Sequence, residues 1–183
     1  RAHARADRRF HAWAVRRLAG ELGVRQFLDV GTGVPNADGL HAVAREVAPD
    51  ARTVHVDHDP VVLAHAHLLL RDAPPGSTAY VDADLRDPVT ILEEAGRTLD
   101  LGAPVALVLT GTLHHVTDDE DPYGIVERLL GALAAGSYLV ASHLASDILP
   151  DAMAEMSRRH NRAFPPDLSA LRGVGSTGAP LPA

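Results

Sequence analysis

Three aspartates, each placed where a short apolar run ends, recur along the chain at the interval of one strand–helix unit. Asp29 lies in Phe27-Leu-Asp-Val-Gly-Thr-Gly33, Asp57 closes Thr53-Val-His-Val-Asp57, and Asp84 follows Tyr80-Val-Asp-Ala83. Parallel strands need a long crossover, usually a helix, and repeating that unit returns every strand end to the same edge. Open α/β sheets bind ligands at that edge. Three carboxylates there, beside a glycine turn, point to a ligand with positive charge and ribose hydroxyls.

The rest of the pattern agrees. An amphipathic helix is expected over 4–20, with Phe10, Trp13, Ala14 and Leu18 on one face. A strand follows at about 26–30, and then a helix starting near Asn36 or Asp38 that buries Leu40, Val43, Ala44 and Val47. Further strands are expected at about 53–56, 78–81, 105–109 and 138–142. Asp59-Pro60, Asp87-Pro88 and Asp121-Pro122 each open a helical apolar pattern, because aspartate caps free N–H groups and proline presets φ. Those helices should bury Val62, Ala66 and Leu69, then Ile91, Leu92 and Ala95, then Ile125, Val126, Leu129 and Leu133. Val105-Ala-Leu-Val-Leu109 is apolar throughout, as a strand covered on both faces should be. Strands alternating with helices define an α/β fold with a doubly wound, mainly parallel, Rossmann-like sheet. A last helix is expected near 148–162. One domain is read over 1–163, and the Pro- and Gly-rich 164–183 as a loop or tail.

Composition removes whole classes of chemistry. All 17 basic residues are arginine, so a P-loop and a pyridoxal Schiff base both lack their lysine. No cysteine is present, which removes thiolate nucleophiles, disulfides and cysteine-ligated zinc. A net charge of -7 argues against a nucleic-acid surface. With no long apolar run and no signal-peptide pattern, a membrane role is not expected and the cytoplasm is the default location.

Two nucleotide readings compete for Gly31-Thr-Gly33. In a dinucleotide fingerprint a third glycine follows, but Asn36 stands in that place. Asp29 is also two residues before the turn, and a carboxylate about 4 Å from a phosphate is repelled by roughly 4 kcal/mol at an effective dielectric of 20. S-adenosylmethionine reverses the sign. It carries no phosphate, and its amino and sulfonium groups are cationic, so Asp29 favours it directly or through water. Gly31 and Gly33 allow close approach of the backbone. Asp57 is placed to accept from ribose hydroxyls and Asp84 from the adenine amino group.

Four blocks, Phe27-Leu-Asp-Val-Gly-Thr-Gly-Val-Pro35, Val54-His-Val-Asp-His-Asp-Pro60, Ala83-Asp-Leu-Arg-Asp-Pro88 and Gly136-Ser-Tyr-Leu-Val-Ala-Ser-His143, together resemble an actinobacterial S-adenosyl methyltransferase family whose substrates are largely unassigned. The likeness runs from about Arg8 to Asn161. It implies a class I methyltransferase fold and cofactor contacts at Asp29, Gly31, Thr32, Gly33, Asp57, His58, Asp84 and Leu85, with Thr110 to His114 facing the cofactor. Relatives carry an additional N-terminal segment and two further strands beyond the Pro- and Gly-rich stretch. The sheet of this chain is expected to lack those two strands.

Chemistry is expected in Thr110-Gly-Thr-Leu-His-His115, the loop after the fourth strand. His114 or His115 is the candidate base there, needed only when the acceptor carries its proton into the transition state. Ser142-His143 is a weaker candidate. No metal is expected: His65 and His67 do not share a helix face, and His55 and His58 should diverge at a strand end. The sequence therefore predicts an S-adenosylmethionine-dependent methyltransferase acting on a small-molecule acceptor that the sequence does not name. A nicotinamide-dependent Rossmann oxidoreductase and a non-catalytic cofactor-binding module are the alternatives.

Overall fold

The computed structural model describes residues 2–34, 39–70 and 74–143. The chain opens with helix α1 (Ala2–Gly20), strand β1 (Gln26–Val30), α2 (Leu40–Val47), β2 (Arg52–Asp57), α3 (Pro60–Leu70) and β3 (Thr78–Asp82). It continues with α4 (Pro88–Ala95), β4 (Ala106–Thr110), α5 (Pro122–Gly131) and β5 (Tyr138–Ser142). Two single-turn 3₁₀ helices, Leu113–His115 and Asp118–Glu120, lie between β4 and α5. The helix expected near 148–162, the tail over 164–183 and the caps proposed at Asn36 and Asp38 lie outside the described residues.

All five strands are parallel, in the order β3-β2-β1-β4-β5. The chain winds outward from β1 to β3, then crosses back to β4 on the other side of β1. Right-handed crossovers put α2 and α3 on one face of the sheet and α4 and α5 on the other. The reversal leaves a crevice at the carboxyl edge beside β1, where the loops after β1, β2, β3 and β4 meet.

Two apolar layers hold this arrangement. Leu28, Val30, Val54, Val56, Leu107 and Leu109 point to one face and pack with Ile91, Ala95, Ile125 and Leu129. Phe27, Ala106, Val108 and Val140 point to the other and pack with Val15, Leu18, Val43 and Ala44. Alternation within each strand puts both sets underground, so every residue of β1 is buried. Trp13 and Val47, expected inside, are 39% and 38% exposed. The face of α1 is instead carried by Ala14, Val15, Leu18 and Ala19, and Val47 falls in the last turn of α2, past its buried stripe.

All three Asp-Pro pairs start helices as expected. Asp87 accepts from Thr90 N at 3.1 Å, Asp121 from Gly124 N at 3.0 Å, and Asp59 from Val61 N at 2.8 Å. Asp121 does so from a left-handed conformation, φ 55°, which it shares as the end of the preceding 3₁₀ turn.

Candidate cofactor site at the carboxyl edge

Gly31 and Gly33 have φ of 77° and 66°, a region that side chains other than glycine rarely enter. The turn is anchored to the end of β2. Gly31 N donates to Val56 O at 2.8 Å, and Gly33 N donates to Asp57 Oδ2 at 2.8 Å. Thr112, from the loop after β4, packs against Gly31 and donates its hydroxyl to Val30 O at 3.0 Å. The glycine turn thus sits between the ends of β2 and β4.

The three aspartates do three different things. Asp29 is buried beneath the turn, where its Oδ2 accepts from Thr32 Oγ1 at 2.7 Å and lies 3.0 Å from His55 Nδ1. It supports the glycine turn from below, through Thr32. Burial pushes its pKa up, but the hydrogen bond and charge of His55, with His11 and Thr32, outweigh that and hold it below the ordinary carboxylate value. Asp57 is half-buried at the edge. Its Oδ2 takes Gly33 N and its Oδ1 takes Asp59 N at 3.0 Å, and each oxygen keeps a second acceptor direction.

Asp84 stands at the end of β3 and is bound by Arg86, whose Nη1 lies 3.0 and 3.2 Å from its two oxygens. Burial again opposes ionisation, and the Arg86 backbone N–H and guanidinium overcome it, so its pKa is lowered. The same guanidinium donates to Glu120 Oε1 at 2.6 Å and to His115 O at 2.8 Å. Arg86 therefore ties the loop after β3 to the loop after β4. Glu120 also accepts from Thr117 N and Oγ1, both at 2.8 Å, and Arg86 followed by Thr117 holds its pKa down to about 2.

Of the remaining expected site residues, His58 is exposed with Nε2 4.0 Å from Asp84 Oδ2, and Leu85 is buried. Thr110 is half-buried at the end of β4. His114 is half-buried and His115 exposed; their ring centroids are 4.1 Å apart, and His143 lies 6.1 Å from His114. His55 and His58 do diverge, one buried and one in solvent, and no cluster of metal-binding geometry is found among the described residues. Two surface depressions, of about 480 and 350 Å³, lie at the opposite edge of the sheet around Arg52, Arg97 and Thr98. They are open and remote from the glycine turn, and have none of its convergent polar groups.

Sequence reasoning missed the roles of Arg86 and Glu120, placed Thr112 in the site loop without its contact to the glycine turn, and considered His55 only as a metal ligand. A polar residue at an inward position of an apolar strand was the available signal for His55. Arginine two residues after the third aspartate was the signal for Arg86.

A parallel sheet of order 3-2-1-4-5, with a glycine turn after the first strand and an acid at the end of the second, is a Rossmann-like arrangement, the one that class I methyltransferases share. The chain belongs to the S-adenosyl methyltransferase family whose model it matches over residues 1–169. It is similar to a DUF574 family protein from Streptomyces avermitilis, with 45% identity and a TM-score of 0.81, over 87% of this chain and 63% of that one. A candidate methyltransferase from Thermobifida fusca is 41% identical, with a TM-score of 0.77, over 87% and 60% of the two chains. This chain therefore spans less than two thirds of the length of either relative. An O-methyltransferase of neocarzinostatin biosynthesis, solved with S-adenosylmethionine and 2-hydroxy-5-methyl naphthoic acid, shares the fold at 20% identity and a TM-score of 0.53, over 78% and 38%. No protein of curated function matches significantly. Among the described residues no helix is long and apolar enough to cross a membrane.

Proposed function

We propose that the protein transfers the methyl group of S-adenosylmethionine to a small-molecule acceptor, in the cytoplasm. The observation that carries this reading is the bond from Gly33 N to Asp57 Oδ2, which sets the glycine turn and a carboxylate able to accept from ribose hydroxyls at one edge. The residues present fit the cofactor. Among the described residues a Cβ on Gly33 would meet nothing within 4 Å, which leaves room beside the turn, and the Asp57 carboxylate next to it suits the hydroxyls of a ribose.

In this reading Gly31, Thr32 and Gly33 lie along the methionine and ribose portions, Asp57 accepts from the ribose hydroxyls, and Asp84, His58 and Leu85 border the adenine. When bound, S-adenosylmethionine supplies a methyl carbon already activated by its sulfonium. What remains for the protein is to orient the acceptor in line and exclude water. Thr110 and His114 border that space from β4, and His114 or His115 takes the acceptor proton where one must leave.

Calorimetry of the full-length protein with S-adenosylhomocysteine and with NAD tests the reading. Binding of S-adenosylhomocysteine is the expected result. Binding of NAD alone would assign the site to a dinucleotide instead.

A further inference from the structure

Asp29, His55 and Tyr80 stand opposite one another on β1, β2 and β3, forming a polar row across one face of the sheet. The His55 side chain is only 2% exposed, and its ring stacks on Tyr80 with centroids 4.7 Å apart. Each ring nitrogen has a partner. Nδ1 lies 3.0 Å from Asp29 Oδ2 and 3.0 Å from Thr32 Oγ1, and Nε2 lies 3.2 Å from His41 Nδ1 at the start of α2.

Those partners assign the protons. An ionised Asp29 can only accept, so Nδ1 of His55 carries hydrogen, shared between the carboxylate and the Thr32 hydroxyl oxygen. The hydroxyl hydrogen of Thr32 goes to Asp29. Nε2 then shares one hydrogen with His41 Nδ1, 3.2 Å away. The result is a chain from α2, through β2, to the residue between the two glycines of the turn.

Packing alone gives no reason for an imidazole here. A buried polar ring is stabilising only when its hydrogen bonds are complete, and an apolar side chain of the same size would fill the layer without that demand. On the same face Thr53 Oγ1 and Thr78 Oγ1 are buried with no hydrogen-bond partner among the described residues. Among the described residues the hydrogen-bond partners of His55 are Asp29 beneath the glycine turn, Thr32 within it and His41 in the helix that follows it.

We infer that His55 is a positioning residue for cofactor binding: its Nδ1–H fixes Asp29 and Thr32 and so pre-organises the glycine turn. This rests on the proposed cofactor site. Pre-organisation raises affinity by removing the cost of ordering the loop at the moment of binding.

The test is calorimetry with S-adenosylhomocysteine on full-length wild type, His55→Phe and His55→Asn. The asparagine amide places a donor near the position of Nδ1, whereas phenylalanine keeps the ring volume without one. Binding by wild type, at least tenfold weaker binding by His55→Phe and recovery to within threefold in His55→Asn are expected. Absence of binding in wild type removes the cofactor reading and this inference together. Equal binding by wild type and His55→Phe, or His55→Asn as weak as His55→Phe, overturns this inference alone. Should His55→Phe fail to fold by circular dichroism, imidazole nitrogen NMR on wild type decides. An Nδ1–H tautomer whose signal moves on saturation with S-adenosylhomocysteine supports the role; an Nε2–H tautomer or an unmoved signal overturns it.

Discussion

Asp57 and Gly33 are joined by a 2.8 Å hydrogen bond from the turn amide to the carboxylate, so one side chain both shapes the glycine turn and stands at its open side. Removing that carboxylate loosens the turn and deletes acceptors for the ribose. Asp57→Ala should weaken S-adenosylhomocysteine at least about tenfold, equivalent to losing one or two charged hydrogen bonds. Asp57→Asn, which keeps one oxygen acceptor, should fall between wild type and alanine. Calorimetry measures both, and unchanged affinity in Asp57→Ala would remove the ribose assignment.

The two turn glycines should fail in different ways. At Gly31 a Cβ would collide with the Thr112 side chain on top of the strain of a positive φ. Strain of about 1–2 kcal/mol and overpacking of about 1–3 kcal/mol act together in Gly31→Ala. A fall in Tm of roughly 5–15 °C is expected for a chain of this size. At Gly33 the same methyl meets none of the described residues, so Gly33→Ala is expected to carry the backbone strain alone and to melt within roughly 6 °C of wild type. Its effect should appear in affinity, about tenfold weaker for S-adenosylhomocysteine, because the methyl occupies the proposed ligand space. Thermal melts paired with calorimetry separate the two.

Arg86 links two loops through Asp84, Glu120 and the His115 carbonyl. All three interactions are partly exposed, which limits Arg86→Ala to a loss of about 1–2 kcal/mol. The sign with pH follows from Glu120, whose folded pKa is depressed from 4.5 to about 2. Its contribution is complete above about pH 4.5 and disappears as pH falls toward 2. The stability gap between wild type and Arg86→Ala in urea titrations should therefore be constant at neutral pH and narrow steadily between pH 4.5 and 2. A gap independent of pH in that range would show that the carboxylates are not its source.

His41 gives the opposite kind of acid sensitivity. Burial, then the neighbouring His55 and Arg45, lower its pKa from 6.5 to about 4. Between those values the unfolded chain binds a proton that the folded ring refuses, so stability falls as pH drops from 6.5 to 4. For a half-buried ring this amounts to about 1–2 kcal/mol after screening. His41→Gln should flatten the decline of Tm across that window, and an unchanged slope would place the acid sensitivity elsewhere.

The strands were legible to within a residue or so because both faces of this sheet are covered, leaving each as a short apolar run between turn residues. Asp-Pro pairs marked three helix starts for a local reason, capping, that needs no tertiary information. The partners of Asp29 and Asp84 were not legible. Asp29 finds His55 only because β1 pairs with β2 in the register that sets those two side by side, and sequence periodicity does not give register. Arg86 reaches Glu120 across two loops whose approach depends on the crossover from β3 to β4. Trp13 was misplaced because a helix face read from period alone does not say how wide its buried stripe is.

His114 carries the last prediction. Its ring is half-buried beside the end of β4, packed near His115 and His143, while His115 faces solvent. A base must reach the acceptor yet be shielded from competing water, and His114 meets that condition better than its neighbour. In full-length protein with an acceptor identified from a small-molecule panel, His114→Ala should lower kcat by about 10²–10⁴, the usual contribution of a general base. Affinity for S-adenosylhomocysteine should fall by much less than kcat, since His114 is one of several groups proposed to border the cofactor. His115→Ala should cost less than tenfold in kcat. The two rates, with calorimetry on the same proteins, decide the matter: a His114→Ala enzyme within threefold of wild type would assign the proton to another group or to water.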